Sequence, residues 1–407
     1  MRAPNLPLLF LNLAHAYDHF FMLIFPTAVL ALAPAWGMAY GEALALGTAA
    51  FVMFGLGSLP AGWLGDRWSR AHMMTIFFIG IGLASILTGL ATGPITLTLG
   101  LALLGAFAAI YHPVATAMVV QHAKRTGHAL GVNGVFGNMG VAAAGLVTGA
   151  LTQALGWRAA FILPGLLAVA TGIVFARRIA PALQQPVASA PRRASERAPV
   201  DHQIRVFAVV AIAAIFGGLV FHGTTVALPK LLEERLAGWT ESIATIGLLV
   251  ALVFAAAAFA QIAVGHLLDR HGARLLLPAI AAVQVLCLAL ASQLWGPGML
   301  AIAFLLMLFV FGEIPINAWL IGHYAAPQWH ARIYAVQYLG ALGVSALAVP
   351  LIAVTHAHTG GFAALVLILA VASGLVALGA LLLPRMARRD ARGPAPMSEA
   401  QPASERA

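Results

Sequence analysis

A short polar stretch, His15-Ala16-Tyr17-Asp18-His19, interrupts an apolar run that extends from about Leu6 to Leu32. A helix of this length crosses a bilayer, and at about 1.5 Å per residue Asp18 lies roughly 15 Å from its start, near the midplane. A carboxylate at that depth costs on the order of 2.5–3.5 kcal/mol, so such residues usually face a water-filled cavity or a partner and mark an ion or substrate path. Residues three and four apart share one helix face, so we expect His15, Asp18 and His19 side by side, with Met22 next along.

Asp18 is the best candidate for a proton carrier in this stretch. Burial favours the neutral form of a carboxyl group and a neighbouring cation favours the carboxylate, so a change of exposure can switch between the two. The alternative is a static pair with a histidine that fixes helix packing. His15 lies one turn nearer the start of the span and could simply orient Asp18.

Other polar side chains also interrupt apolar runs, and each has an alternative role in packing. Glu313, close to Pro315 and Asn317, is the other acidic residue well inside a run; it could bind a cationic substrate or carry a proton. His112 stands beside Pro113, a residue that bends helices. The remaining members of the predicted cavity are His222, Asn133 and Asn138.

Aromatic and histidine residues near the ends of later runs are weaker candidates. Trp319, Tyr324 and Tyr338 could form an aromatic wall, an interfacial belt or part of the packing. His356 and His358 are expected to be solvated in an outer loop.

The composition defines the class of protein. Of the 407 residues, 61% are hydrophobic and only 9% are charged, whereas a soluble domain carries about 25% charged residues. The apolar runs are about twenty residues long, which indicates α-helices spanning a membrane and not the strands of a barrel. The sequence has no Walker loop, paired-cysteine metal motif or Gly-x-Ser-x-Gly elbow, so an enzyme or an ATP-driven pump has no support. We expect no cofactor and no resident metal.

The apolar runs predict an all-α membrane protein with twelve transmembrane helices in two pseudo-symmetric six-helix bundles. The bundles cover residues 1–178 and 206–384, joined by a flexible linker at 179–205 and followed by a tail at 385–407. The predicted spans are Leu8–Leu32, Leu44–Leu64, Met73–Ala91, Ile95–Val120, Ala129–Leu151, Ala159–Ala176, Val206–Leu228, Ile243–Leu267, Leu275–Leu294, Met299–Ile321, Ile333–Val354 and Phe362–Leu383. The two bundles can form a cavity between them without another subunit, so we expect a monomer in the lipid bilayer.

The basic residues predict the orientation. With the N-terminus inside, most arginines and lysines fall in inner loops, and the outer loops hold only Arg158, Lys230 and Arg235. The positive-inside rule then places both termini and the linker in the cytoplasm, as in an inner (plasma) membrane protein. The net charge of +9 is explained in this way, and no nucleic-acid partner is expected.

The two halves of the sequence repeat a loop. The segment Gly62-Trp63-Leu64-Gly65-Asp66-Arg67 and the segment Gly265-His266-Leu267-Leu268-Asp269-Arg270 place Gly, Leu, Asp and Arg at one constant offset. The same offset relates His19 to His222, so these two histidines are expected to face each other across the cavity. Two repeated halves with a site between them near the midplane are typical of transporters.

This loop pattern, with six plus six spans, resembles the major facilitator superfamily over nearly the whole chain. The resemblance implies that the loop carboxylate engages nearby arginines and a facing helix end, and so latches one of two alternating-access states. It assigns this role to Gly62, Asp66, Arg67 and Arg70, with Asp269 and Arg270 as a weaker counterpart. Ser69 and Ala71 depart from the usual motif.

A finer resemblance is to the fosmidomycin-resistance group of drug exporters. It depends on Tyr111-His112-Pro113 and on the glycine-rich fifth span from Gly131 to Gly140. The antiporter motif of that span is half present, because Ala144 and Gly145 replace its final Gly-Pro.

Three functions remain open from the sequence. The first is proton-coupled efflux of a drug or toxic metabolite by alternating access. The second is import of a transition metal or small metal chelate, since His15, His19, Asp18 and Met22 offer imidazole, carboxylate and thioether groups on one face. The third is a sensor that kept the fold but does not transport.

Overall fold

The computed structural model describes residues 6–122, 126–183, 200–324 and 330–384. Eleven helices within these ranges are long and apolar enough to cross a membrane, and a shorter apolar helix lies at Gly343–Thr359. We number the helices α1 Leu6–Ala35, α2 Tyr40–Arg67, α3 Arg70–Gly89, α4 Pro94–His122, α5 Thr126–Leu155, α6 Trp157–Ile179, α7 Ile204–Arg235, α8 Ile243–His271, α9 Ala273–Ala291, α10 Gly296–Tyr324, α11 His330–Thr359 and α12 Ala363–Ala380.

The helices pack as two matching halves, α1–α6 and α7–α12. In the first half α3 packs on α6, α2 and α3 pack on α4, and α1 packs on α5. The second half repeats each of these pairs, with α9 on α12, α8 and α9 on α10, and α7 on α11. The prediction of twelve helices in two pseudo-symmetric bundles is therefore confirmed.

Two helix pairs make most of the contact between the halves, α5 with α8 and α2 with α11, and α1 adds smaller contacts with α7 and α8. In the first pair, Gly145 and Gly247 face each other so closely that a side chain on Gly247 would collide with the backbone of Gly145. Small residues allow this approach, because helices in lipid associate through packing and not through the hydrophobic effect.

Two helices are broken at prolines. The first segment of α1 ends at Met22 and the second begins at Ile24, and the first segment of α4 ends at Ala108. In each case a proline follows within a few residues, Pro26 in α1 and Pro113 in α4. A proline lacks the amide hydrogen and its ring clashes with the carbonyl four residues earlier, so the helix is interrupted at that point.

The two sides of the molecule are distinguished by their loops. We call the side that carries the turn at residues 68–69 the linker side. The last helical segment of the first half ends there at Leu183, and the first helical segment of the second half begins there at Val200. The predicted linker at 179–205 is thus helical at both ends, while 184–199 and the tail at 385–407 lie outside the described residues. The opposite side, with the turn at 36–39, is the far side.

On the far side, a cluster of charged and aromatic residues joins the halves. The ring of Tyr40 in the first half lies 4.9 Å from the ring of His356 and 5.5 Å from Nζ of Lys230, both in the second half. His356 Nε2 is 2.7 Å from Oε1 of Glu234. The prediction of a solvated loop at His356 is wrong, because α11 extends to Thr359 and packs this ring between Tyr40 and Phe362. His358 is exposed as predicted.

Candidate functional site

The side chain of Asp18 is fully buried within the first half. Its Oδ2 lies 3.3 Å from Nε2 of His112 on α4. Among the described residues, neither carboxylate oxygen has a donor in hydrogen-bonding geometry. A buried carboxylate is costly to leave in this condition, so Asp18 is suited to a group that brings positive charge.

Three imidazole rings lie close together beside this carboxyl group. His15 and His19 of α1 and His112 of α4 each hold one ring nitrogen within 4.8 Å of the others, and His112 is the ring next to Asp18. Nε2 of His15 is 3.2 Å from Nε2 of His19, and the ring centroids of His19 and His112 are 5.7 Å apart. The structure brings His15 and His19 together, as the helical spacing predicts, and adds His112 from a distant part of the chain, which pairs with Asp18. We call these four residues the histidine cluster.

His15 is fixed by a hydrogen-bonded network that includes α5. Its Nδ1 is 2.7 Å from the carbonyl oxygen of Asn133, and its ring stacks on that of Tyr111 at 4.7 Å. The Tyr111 hydroxyl donates to Oδ1 of Asn133 at 3.0 Å, and Nδ2 of Asn133 donates to Oδ1 of Asn12 at 3.0 Å. Asn133, predicted as a cavity residue, therefore fixes the orientation of the His15 ring through the ring nitrogen that points away from His19.

The glycines of α5 make room for this arrangement. A Cβ atom on Gly137 would lie 2.6 Å from the ring of His15, and one on Gly140 would collide with the backbone carbonyl of Ala16. Only residues without a side chain allow α5 to approach α1 at these two levels.

The proline breaks lie beside the cluster. The first segment of α1 ends three residues after His19, and His112 is the second residue of the segment that follows the interruption in α4. The three rings are half-buried, so they are not sealed in dry packing. Broken helices near the midplane are common at the binding sites of transporters.

Glu313 forms a second buried polar site, in the second half. Its Oε2 accepts a hydrogen bond of 2.9 Å from Nε2 of Gln284 on α9, and Gln284 in turn accepts one of 2.7 Å from the hydroxyl of Ser373 on α12. A side chain on Gly217 of α7 would collide with Oε1 of Glu313. Gly217 ends a π-helical turn, Ala213–Gly217, and such turns occur frequently at functional sites.

Two predicted members of the cavity have no described side-chain hydrogen bond to these networks. The half-buried ring of His222 contacts Phe51 of the first half at 6.4 Å and its neighbour Phe221, and it is close enough to His19 and His112 to interact with both electrostatically. Asn138 is buried on α5.

The sequence matches a family model described as the Major Facilitator Superfamily over residues 8–243, which is more than half of the chain. The chain belongs to the major facilitator superfamily. It is accordingly a multi-pass membrane transporter and not an enzyme.

Solved structures agree with this fold. Two crystal structures of a bacterial homologue of the human lysosomal transporter Spinster, both inward-facing, superpose on the chain. The occupied form has a TM-score of 0.70 at 16% identity and covers 92% of this chain and 93% of that one. The unoccupied form has a TM-score of 0.69 at 15% identity and covers 94% and 95%.

Two curated relatives match shorter segments. The puromycin resistance protein pur8 of Streptomyces alboniger is 38% identical over 114 residues, 27% of this chain and 23% of that protein. A probable 4-methylmuconolactone transporter of Cupriavidus pinatubonensis (strain JMP 134 / LMG 1197) is 30% identical over 172 residues, 40% of this chain and 39% of that protein. The chain thus spans less than half the length of either relative. Neither name refers to the fosmidomycin-resistance group.

The superfamily loop between α2 and α3 has a local ion pair. Nη2 of Arg70 donates to Oδ1 of Asp66 at 2.6 Å, although the Asp66 side chain is 69% exposed. Arg67 lies over the ring of Trp63 at 5.0 Å. Gly62 lets α2 approach α4, since a Cβ there would lie 3.2 Å from Pro113. The partners described for Asp66 and Arg67 belong to the first half, so a latch to a facing helix end stays a prediction.

The counterpart loop of the second half is exposed. Asp269 and Arg270 both lie at the surface, and the described residues give neither of them an ion pair. The predicted repeat of the latch in this loop therefore also stays a prediction.

The predicted aromatic wall belongs to a separate cavity. Trp319 and Tyr324 line a space of about 440 Å³ on the linker side of the second half, together with Arg274. This cavity shares no residue with the histidine cluster, and the side chain of Tyr338 lies outside the described residues.

Four residues of the two polar networks were not predicted as site residues. Asn12 could have been found, because it precedes His15 by three residues on the same helix face. Gln284 interrupts an otherwise apolar run, which is also a sequence signal. Tyr111 belongs to the motif Tyr111-His112-Pro113 of the family resemblance, which was the signal available for it. Ser373 gave no clear signal, since serine is common in membrane helices and its role depends on which helix lies opposite.

Proposed function

We propose that this superfamily member is a proton-coupled secondary transporter that exports a small molecule, of the drug or toxic-metabolite type, by alternating access. The observation that carries the proposal is Glu313, a carboxyl group buried within the second half whose described hydrogen-bond donor is the neutral amide of Gln284. A carboxyl group without a cation is stable in such a place as the neutral acid, and it loses its proton when water reaches it.

On this proposal the binding site for the cargo lies in the first half, at the histidine cluster. The histidine cluster contains a buried carboxyl group beside His112 and three half-buried rings, so it can receive a molecule from a cavity between the halves. Asp18 on this proposal binds cargo, and Glu313 carries the coupled proton.

Alternating access requires the halves to separate on one side at a time. The contacts of α5 with α8 and of Tyr40 with the second half close the far side. With the linker side in the cytoplasm, as the basic loops predict, this state receives cargo from the cytoplasm. The outward direction is also supported by the relative named as a puromycin resistance protein.

The test uses the full chain in proteoliposomes with an imposed pH gradient. Puromycin and 4-methylmuconolactone serve as first probes, and a fluorescent pH indicator inside the vesicles reports proton movement. We expect probe uptake and proton flux in opposite directions in the wild type. Glu313→Gln should reduce gradient-driven accumulation about tenfold, which corresponds to about 1.4 kcal/mol, while leaving downhill exchange of the probe.

The matched control is Glu241→Gln, the same chemical change at an exposed position of the far side. It should behave like the wild type. Wild-type probe flux that does not change with the pH gradient would rule out proton coupling. Accumulation of the probe in the same direction as proton movement would favour import.

A further inference from the structure

We infer that the histidine cluster binds a divalent transition-metal ion, and that the cargo is this ion, either bare or held in a small chelate. The inference rests on the proposed function, because it names the cargo of the same site. It rests on geometry that the sequence does not contain, since His112 joins His15 and His19 only in the folded chain.

The distances fit tetrahedral coordination. Metal–nitrogen bonds of about 2.0–2.1 Å at tetrahedral angles place neighbouring ligand atoms about 3.3 Å apart. Nε2 of His15 and Nε2 of His19 are 3.2 Å apart, and Nε2 of His112 and Oδ2 of Asp18 are 3.3 Å apart. The three histidines offer one ligand nitrogen each within 4.8 Å of one another, which is close to the spacing around one ion, and Asp18 lies beside His112 as a negative charge next to this set.

The orientation of His15 also suits a metal ligand. Ligating histidines usually donate a hydrogen bond from the other ring nitrogen to a carbonyl or carboxylate, which fixes the tautomer. Nδ1 of His15 lies 2.7 Å from the carbonyl of Asn133, so this nitrogen carries the hydrogen and Nε2 keeps its lone pair. Asn133 is itself held by Tyr111 and Asn12, as expected for a supporting network around a metal.

The charge of the cluster favours a dication over protons alone. Three imidazoles this close repel one another when more than one is protonated, so protons alone supply about one positive charge. A dication balances Asp18, which lies beside His112, and is shared by all three rings in their neutral form.

The ligand types select the class of metal. Imidazole with one carboxylate suits zinc, copper, nickel and cobalt, whereas magnesium and calcium prefer oxygen ligands. The rings are half-buried and lie next to two helix breaks, so an ion can enter and leave, which a closed structural site would prevent.

The first experiment measures binding to the purified full chain in detergent. Co²⁺ is the probe, because its visible absorption is strong in tetrahedral sites, and Zn²⁺ is titrated in competition. We expect one Co²⁺ per chain with tetrahedral absorption. His19→Gln and His112→Gln should each weaken binding by about 100-fold or more, and Asp18→Asn by about 10–100-fold, the typical effect of losing an outer-shell partner.

The control is His122→Gln, on the same helix as His112 and also half-buried but bonded to the carbonyl of Met118. It should bind Co²⁺ like the wild type. Size-exclusion profiles and thermal unfolding show that each variant is folded. A folded wild type without tetrahedral Co²⁺ absorption would overturn the inference, as would binding that the three cluster variants leave unchanged.

The second experiment measures transport in proteoliposomes, with Zn²⁺ alone in one arm and Zn²⁺ with picolinate in the other. Flux in the first arm identifies the bare ion, and flux restricted to the second identifies a chelate. If zinc flux is independent of the pH gradient and unchanged by Glu313→Gln, the proposed proton coupling is wrong and the metal site stands. If puromycin flux in the presence of EDTA depends on the pH gradient and on His19, and no Co²⁺ binds, the coupling stands and the metal inference is wrong.

Discussion

The chemistry of the first half depends on the position of a few atoms around His15. Its ring touches the carbonyl of Asn133, the ring of Tyr111 and the backbone of α5 at Gly137. Each contact restricts the ring, so that Nε2 points to His19 and not to the surrounding helices. A side chain that contacts neither cargo nor ion can therefore decide whether the cluster binds.

A substitution at Gly137 tests this restriction. Gly137→Ala places a Cβ atom 2.6 Å from the His15 ring, so the ring must move and lose the bond to Asn133. We expect a loss of stability of about 1–3 kcal/mol, as for other overpacked sites, and a fall of about tenfold in Co²⁺ affinity. Thermal unfolding and absorption titration measure the two effects.

Gly134→Ala is the control for this prediction. The same helix offers open space at Gly134, where no atom lies within 4 Å of an added Cβ. The two variants share the change in helix propensity, so equal losses in both would show that the contact with His15 is not the cause.

At the scale of elements, the broken helices place the cluster. α1 and α4 would otherwise run as regular helices, with side-chain directions fixed by 3.6 residues per turn. The interruption in α4 lets the segment that begins at Tyr111 turn its first residues toward α1. Pro113 is therefore as important to the site as His112, although its own side chain offers no chemistry.

Replacing this proline should separate stability from function. Pro113→Ala supplies an amide that can bond to the carbonyl of Ala109, and removal of a proline from a helix interior can relieve about 3 kcal/mol. We expect an unfolding temperature equal to or above that of the wild type, and transport reduced by about tenfold because His112 moves away from Asp18.

Pro94→Ala provides the comparison, because Pro94 occupies the first turn of α4, where its missing amide is harmless. It should leave transport unchanged. If Pro113→Ala also transports at the wild-type rate, then the break in α4 does not position His112.

At the scale of the whole molecule, the transport cycle depends on the contacts between the two halves, most of which come from the pairs α5–α8 and α2–α11. On the far side, the hydroxyl of Ser242 on the second half donates to Oε1 of Gln153 at 2.6 Å, and the amide of Ala244 donates to the same oxygen at 2.9 Å. These bonds lie at the end of the α5–α8 contact. They must break if the far side opens during the cycle.

Cross-linking these positions should stop the cycle. We expect a short bifunctional thiol reagent to join Gln153→Cys and Ser242→Cys in a Cys287→Ala background and to reduce transport to the level of empty vesicles. Cys287 is the single cysteine of the sequence, so its replacement leaves only the introduced pair of thiols. Flux after cross-linking, compared with each single cysteine variant treated in the same way, is the measurement. Normal flux in the linked protein would mean that the far side does not open at this point.

The sequence by itself determined much of this protein, because hydrophobicity and helical periodicity are local properties. Its apolar runs gave the spans, its repeated loop gave two matching halves, and the spacing of His15, Asp18 and His19 gave one polar face. His356 was misplaced because the sequence contains no signal that α11 continues past Val354.

Only the tertiary structure decided which distant residues complete that face. His112 joins it, Gln284 holds Glu313, and Gly137 makes room for His15, each through a contact between helices that are far apart in the chain. Such contacts depend on how closely two helices approach and at which level. Packing of the whole bundle sets both quantities, and no short stretch of sequence contains them.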